Sequence, residues 1–300
     1  MSGTIATSTA VDLSRLPPPD VVEALDYETI LALLQADFAA RLPGFDAWVE
    51  SDPAIKLLEI AAYRELVLRQ RVNDAARATM LAYASGGDLD NLGALFGVPR
   101  RELEPADAAT GAPAVMEADA DLRRRLLQAP DAYSVAGPRL AYVFHALSAH
   151  GDVLDAAATS PAPGEVIVSV LSRQGDGDAS PQLLSVVEAA VAADDVRPLT
   201  DAVSVQASTI VRFQIEAELT LFSGPDQNLI LQSAQDAVAD TLAANRRIGR
   251  DIPRSALIAA LHGAGVQNVA LISPAVDVVV GETGAAWADD ITISIVGFAP

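Results

Sequence analysis

From Pro53 to Ala84 the chain contains no glycine and no further proline, and this uninterrupted run limits the fold more than any other feature. Asp52 is suited to cap a helix there, because its carboxylate can accept from the first unsatisfied backbone N–H groups. Pro53 suits the first helical position, where a missing N–H is no loss. The spacing predicts one long helix from Pro53 to Ala84, stopped by Gly86-Gly87. Glu65, Arg69, Asn73 and Arg77 recur every four residues and make one polar stripe. Ala61, Leu68, Ala75 and Ala82 form an opposing line, with small residues that allow close approach by another helix. That line is read as the inward face of an ordinary core helix of its own domain, with pairing to a second protein as the alternative.

Shorter signals flank this run. Leu16-Pro-Pro-Pro-Asp20 reads as a stiff extended arm, since each proline fixes its own φ and restricts the residue before it. Asp26 is placed to cap a helix through Ile30, Leu33, Leu34 and Phe38, ended by Pro43-Gly44. Asp88 is read as the cap of a short helix with Leu89, Leu92, Leu95 and Phe96, closed by Gly97 and barred by Pro99. Arg100 to Pro113, rich in Pro, Ala, Gly and acid, is read as a linker or exposed loop and as a domain boundary. A helix resumes near Asp119. Its Arg123-Arg124-Arg125 run points three ways, so it is read as a solvated or ion-paired face and not as an anion site.

Beyond this point helix and strand alternate. Helices are predicted over Pro138–Ala149, Pro181–Ala193, Pro225–Ala244 and from Ile252-Pro253 to Leu261. Strands are predicted over Val153–Thr159, Glu165–Leu171, Ala202–Ala207, Thr209–Phe222, Val269–Ile272, Asp277–Val280 and Ile291–Val296. A weak repeat runs through this part. Pro138-Arg139, a helix, Gly151, a strand ending at Ser160-Pro161 and a further strand are echoed by Pro253-Arg254, a helix, Gly265, a strand ending at Ser273-Pro274 and a further strand. The predicted class is α+β. A helical N-terminal domain with an extended arm spans 1–98, and two related α+β units, each a small antiparallel sheet with helices on one face, span 99–208 and 209–300.

Chemistry is hard to find. Lys+Arg number 20 against 40 Asp+Glu, a formal charge of -20, which disfavours nucleic acid and anionic membranes as partners. With no cysteine, disulfides and thiolate chemistry are excluded. The first ten residues are not a signal peptide, and no apolar stretch nears the ~20 residues of a spanning helix. His145 and His150 are five apart, off the spacing that puts two ligands on one helical face, and His262 sits at a helix end. Gly175-Asp176-Gly177-Asp178 lacks the rest of a calcium loop and reads as a hairpin or strand–helix turn. Asp194-Asp195 and Asp289-Asp290 are adjacent pairs, and a glycosidase needs two carboxylates that face each other across a sugar. No catalytic, cofactor-binding or metal-binding residue is assigned, and the chain is expected not to be an enzyme.

One resemblance is dense in the N-terminal part. Leu16-Pro-Pro-Pro-Asp20, Leu25-Asp-Tyr-Glu28, Glu50-Ser-Asp-Pro-Ala-Ile-Lys-Leu-Leu-Glu59, Ala62-Tyr-Arg-Glu-Leu66, Arg69-Gln-Arg-Val-Asn-Asp-Ala-Ala76, Gly86-Gly-Asp-Leu-Asp90 and Leu95-Phe-Gly-Val98 follow one another in order. Asp119 to Arg125, Ala136-Gly-Pro138 and Tyr142 to Ser148 continue it. The string resembles the baseplate assembly protein J family of contractile-tailed phages, in the short form of P2-like phages. The resemblance implies a structural wedge subunit that assembles around the tail hub and transmits the change that triggers sheath contraction. It implies as partners a small lysozyme-like wedge protein, the adjacent wedge or tail protein, and further copies in a ring. It implies no cofactor and a place in the virion tail baseplate after synthesis in the host bacterial cytoplasm. Longer members carry an insertion where this chain has only Arg100 to Pro113. The same subunit in a tail-like bacteriocin or injection device is one alternative. A tail-tip cell-wall hydrolase is the alternative of a different class, and a glycan-binding adhesin is disfavoured by 5% aromatic content.

Overall fold

The computed structural model describes residues 17, 19, 21–134, 138–194, 196–224 and 226–299. The reading of Met1 to Ala10, Leu16, Pro18 and Asp20 of the arm, the Ala136-Gly137 landmark, Asp195 and Pro225 lie outside the described residues. By internal contacts the chain divides into two compact units. One holds the described residues up to Arg100 together with 118–123; the other holds 101–117 and the residues from 124 onward.

The first unit is helical. α1 (Tyr27–Arg41) starts where Asp26 accepts from Thr29 N at 2.8 Å. α2 (Pro53–Ala78) starts where Asp52 accepts from Ala54 N at 2.8 Å, with Pro53 in the first turn. It ends six residues before Ala84, where the sequence pattern predicts its end. Residues beyond Thr79 wind on as turns, and Arg123 donates to the Leu81 and Ala84 carbonyls, both at 2.7 Å. A guanidinium from far along the chain thus satisfies carbonyls that a helix stopped by Gly86-Gly87 would leave bare. α3 (Gly86–Leu95) opens two residues before Asp88. Asp119, also distant in sequence, accepts from Gly86 N at 3.1 Å and from Arg100 Nη2 at 2.6 Å. Gly97, at φ 66, closes α3 as predicted.

The second unit opens with a ribbon where a linker or exposed loop is predicted: β1 (Glu102–Glu104) pairs antiparallel with β2 (Val115–Met116), and the residues between them form an exposed loop. Asp107 shapes its turn by accepting from Ala109 N and Thr110 Oγ1, each at 2.8 Å. α4 (Asp119–Ala132) follows, and the boundary between the two compact units falls within it. From α4 the Arg125 guanidinium donates to both oxygens of Glu117 at 2.9 Å, and both side chains are buried. Arg101, partly buried beside Arg125, is pushed down to about 10, by burial first and by Arg125's like charge second.

α5 (Arg139–Ala149), β3 (Val153–Thr159), β4 (Glu165–Ser172), α6 (Pro181–Val191) and β5 (Ala202–Ala207) form the central α+β part. β6 (Thr209–Phe222), α7 (Gln227–Asn245), α8 (Arg254–Leu261), β7 (Val266–Ser273) and β8 (Gly284–Ala299) form the last. The α+β class with small sheets is as predicted, but each of these two three-stranded sheets is mixed and not wholly antiparallel. The orders are β3-β4-β5 and β7-β6-β8, with β4/β5 and β6/β8 parallel. Parallel neighbours need a crossover, and α6 supplies one between β4 and β5. Asp277–Val280 is not a strand; Val278 makes an isolated bridge to Ile252.

Both α+β parts share one layout: an antiparallel edge strand, a central strand, a parallel edge strand, and two helices packed on each other. α5 packs on β3 and α6 on β5; correspondingly α8 packs on β7 and α7 on β8. The connectivity is permuted. The pair α5–β3 precedes β4–α6–β5, whereas α8–β7 is inserted between α7 and β8. The sequence repeat therefore matches at α5–β3 and α8–β7 and fails at the next strand, since β4 is central and β8 lies at an edge.

Arg125→Met leaves Glu117 buried without its counter-charge and destabilises the chain by about 3–5 kcal/mol in urea unfolding, whereas Arg125→Met/Glu117→Leu recovers most of the loss. Asp119 is held below the ordinary carboxylate range by its bonds from Arg100 and Gly86 N. Its contribution is complete above an unfolded pKa of about 4 and fades as pH falls through the lower folded value. Asp119→Asn is thus less stable than the parent at pH 7, and the two thermal midpoints converge in strong acid.

Candidate assembly surface

α2 presents the feature that most needs a function. Its buried residues are Ile55, Ala62 and Asn73. Asn73 accepts from Glu23 N at 3.0 Å and donates to Glu23 O at 2.9 Å, which pins the extended segment before α1. Arg69 reaches Glu23 at 3.1 Å and Glu65 at 2.7 Å. Two members of the predicted polar stripe, Arg69 and the buried Asn73, therefore meet this segment.

The apolar side faces out, contrary to the core-facing reading of the Ala61, Leu68, Ala75 and Ala82 line. Ala61, Leu68 and Ala75 are exposed and Ala82 is half-buried. Around them Leu57 is 67% exposed and Leu68 64%, joined by exposed Ile60, Tyr63, Val67 and Val72. Arg64 and Arg71 stand on the same side and make no ion pair among the described residues. The cause is a shortage of cover: α1 and one extended segment can shield only one side of a 26-residue helix. Phe38, Phe45 and Trp48 close the α1–α2 turn edge to face, at 5.1, 5.2 and 6.1 Å, and do not extend over this face.

The remaining candidates do not converge. His145 lies half-buried on α5 against Phe144, His150 follows α5 and accepts from Asp152 N at 3.1 Å, and His262 follows α8. No group of three or more His, Asp or Glu able to hold a metal ion occurs among the described residues. Gly175-Asp176-Gly177-Asp178 is a strand–helix turn from β4 to α6, as predicted, with Gly177 at φ 104. Asp194 pairs with Arg197 and Asp289 with Arg212, while Asp290 accepts from Thr292. Arg123, Arg124 and Arg125 each take different partners: backbone carbonyls, Asp155 and Glu117. A hollow of about 80 Å³ between Arg139, Tyr142, Thr159 and Val166 is below the ~300 Å³ of ordinary ligand pockets. No helix among the described residues is long and apolar enough to cross a membrane.

The sequence reading preferred a core-facing side for α2 and kept pairing with a second protein as the alternative, although Leu57, Ile60, Val67, Leu68 and Val72 carry the helical spacing that marks an apolar face. Periodicity reveals a face but not what covers it.

Residues 50–107 match the Baseplate J-like N-terminal domain, 134–207 the Baseplate J-like central domain, and 213–294 the Baseplate J-like protein C-terminal domain. Baseplate protein J of Escherichia phage P2 is 46% identical over 292 residues, covering 94% of this chain and 97% of its own. A chain in the 6-fold symmetrised cryo-EM structure of the anti-feeding prophage baseplate aligns at TM-score 0.41 and 17% identity, over 60% of this chain and 43% of that one.

Asn73→Leu removes both hydrogen bonds to Glu23. The segment from Val21 to Asp26 should then be cut by protease at least about tenfold faster, with the helical circular dichroism of α2 kept; unchanged cleavage would show that Asn73 does not hold it.

Proposed function

From the premise that this chain belongs to the baseplate J-like family, we propose that it is a wedge subunit which works by gripping neighbouring subunits. It is a structural baseplate component of a phage-type tail and associates with other baseplate proteins. The finer reading has four parts. Copies assemble in a ring around the tail hub. The lysozyme-like wedge protein and the adjacent wedge or tail protein are direct partners. The subunit, made in the host bacterial cytoplasm, passes on the change that triggers sheath contraction. Residues 1–98, 99–208 and 209–300 act as its domains.

The outward apolar face of α2 carries this reading. Large contiguous apolar patches are uncommon on solitary proteins and mark interaction sites. Arg64 and Arg71 within the patch select the partner's chemistry: an amphipathic helix of another baseplate subunit, with carboxylates flanking its apolar stripe. Such a helix covers Leu57, Ile60, Leu68 and Val72 while pairing both guanidiniums.

The test is co-expression with the neighbouring baseplate subunits. Leu57→Glu/Leu68→Glu changes only exposed positions, so the isolated chain should keep its fold and thermal midpoint. Recovery of the complex by size exclusion should fall at least about tenfold, a loss of more than 1.4 kcal/mol, and particles built with the variant should lack complete baseplates. Normal complexes and intact baseplates from the variant would refute the role of α2. Clearing of peptidoglycan by the purified chain would favour the hydrolase instead.

A further inference from the structure

β5 runs into β6 with a single residue, Ser208, between them. The backbone hydrogen bonds change sheets at that point. Ser208 N donates to Val170 O of the central sheet at 2.9 Å, and Thr209 N donates to Thr283 O, beside the last sheet, at 3.1 Å. The two hydrophobic clusters do not merge: one runs from Tyr142 to Ala207, the other from Val211 to Ile295. Ile210, close to the Gly177 turn, is an apolar neighbour across the joint.

Guanidinium groups make most of the other links. Arg212 on β6 pairs with Asp176 in the Gly-Asp turn and with Asp289 on β8. Arg246, after α7, donates to Gly175 O at 2.7 Å and lies 4.7 Å from the Trp287 ring centroid. Arg247 donates to Leu154 O at 3.0 Å, and Ile248 N donates to Asp155 at 2.9 Å. Asp155 is only 4% exposed and also takes Arg124. Gly175-Asp176-Gly177-Asp178 thereby acquires a part in the molecule: it is the central half's side of this clasp.

Separate cores, a one-residue crossover and polar contacts between them are the properties of a hinge with a catch. Apolar burial would resist opening in water at every salt concentration. The Arg212–Asp176 pair and the Arg246 bond to Gly175 O are exposed, individually weak and exchange readily with water, while the Arg247 bond to Leu154 O and the Ile248 N bond to Asp155 are partly buried and have to open with them. We propose that the peptide at Ser208 is a hinge between the central and last α+β parts. The contacts of Arg212, Arg246 and Arg247 form a clasp that holds one arrangement and releases it with both cores intact. This device rests on the reading of the chain as a subunit that passes on a change of shape, and it places that change at a joint.

The absence of cysteine makes the joint directly measurable. Val186→Cys on α6 and Leu229→Cys on α7 are exposed positions, one on each side, that can carry spin labels. Pulsed electron–electron resonance on the full chain should give one narrow distance for this doubly labelled parent. Adding Arg212→Ala, Arg246→Ala and Arg247→Ala together should broaden the distribution or add a second distance. In the labelled parent, 1 M salt, where the screening length is about 3 Å, should do the same. Amide exchange in β4 and β6 should stay at parent rates within about twofold. A distribution that stays narrow without the clasp would overturn the proposal. So would loss of protection in β4 and β6 together, which means unfolding and not hinging. Either result leaves assembly through α2 standing, because the labels and variants do not touch that face.

Discussion

A protein with twice as many acidic as basic side chains has to place its few cations where each holds the most, and the rest of the structure follows from where they sit. The guanidinium suits this task because it is planar, always charged, and able to donate along several directions at once. Arg123 takes two carbonyls beyond α2, Arg100 joins Asp90 to Asp119, and Arg125 closes on Glu117. Arg254 takes the Leu271 and Pro274 carbonyls, and Arg197 those of Ala192 and Asp201. Each links segments or ends an element. With these arginines committed inward, the outer surface is left strongly negative. Two such surfaces repel each other, so approach between subunits favours patches where charge is absent or positive. The outward side of α2, apolar with two arginines that make no ion pair among the described residues, is one such patch.

Much of the fold could be read from the sequence wherever a signal is local. The caps at Asp26 and Asp52 and the glycine close at Gly97 are set by neighbouring residues, and they stand where the sequence puts them. The alternation along Thr209–Phe222 correctly marks a strand that is apolar on one side. What could not be read depends on distant partners. Nothing near Gly86 shows that Asp119 will satisfy its N–H, and nothing near Ala84 shows that Arg123 will take its carbonyl. The parallel pairings of β4 with β5 and of β6 with β8 are likewise products of crossovers. Alternation specifies which side of a strand is buried but leaves the direction of its neighbour open.

The candidate surface failed in the sequence for a different reason. A line of apolar residues on a helix states that something should cover it, and the simplest occupant is the protein's own core. Here the polar stripe holds the chain's own segment through Asn73, and the apolar side is left over. The same pattern means core in a solitary protein and interface in a subunit, so the distinction is a property of the assembly. Asp155 left a clearer local trace, a carboxylate within the apolar stretch Val153 to Ala158. Such a group persists in a strand only where fixed donors meet it, and Arg124, Ala156 N and Ile248 N are those donors.

The two α+β parts bring these points together. They share a layout although one helix–strand pair occupies a different place in the chain, so packing geometry and not chain order defines the module. Each module buries its own apolar face under its own helices, and each is complete without the other. Carboxylates, carbonyls and guanidiniums meet between them, with Ile210 beside the Gly177 turn as an apolar contact. The helical unit differs, since its longest helix keeps an uncovered apolar side. On the proposed reading, the joint between the two modules serves movement and the uncovered side of α2 serves attachment. A subunit that must keep its grip while its assembly changes shape needs both, and it needs them on separate surfaces so that neither contact has to break for the other to act.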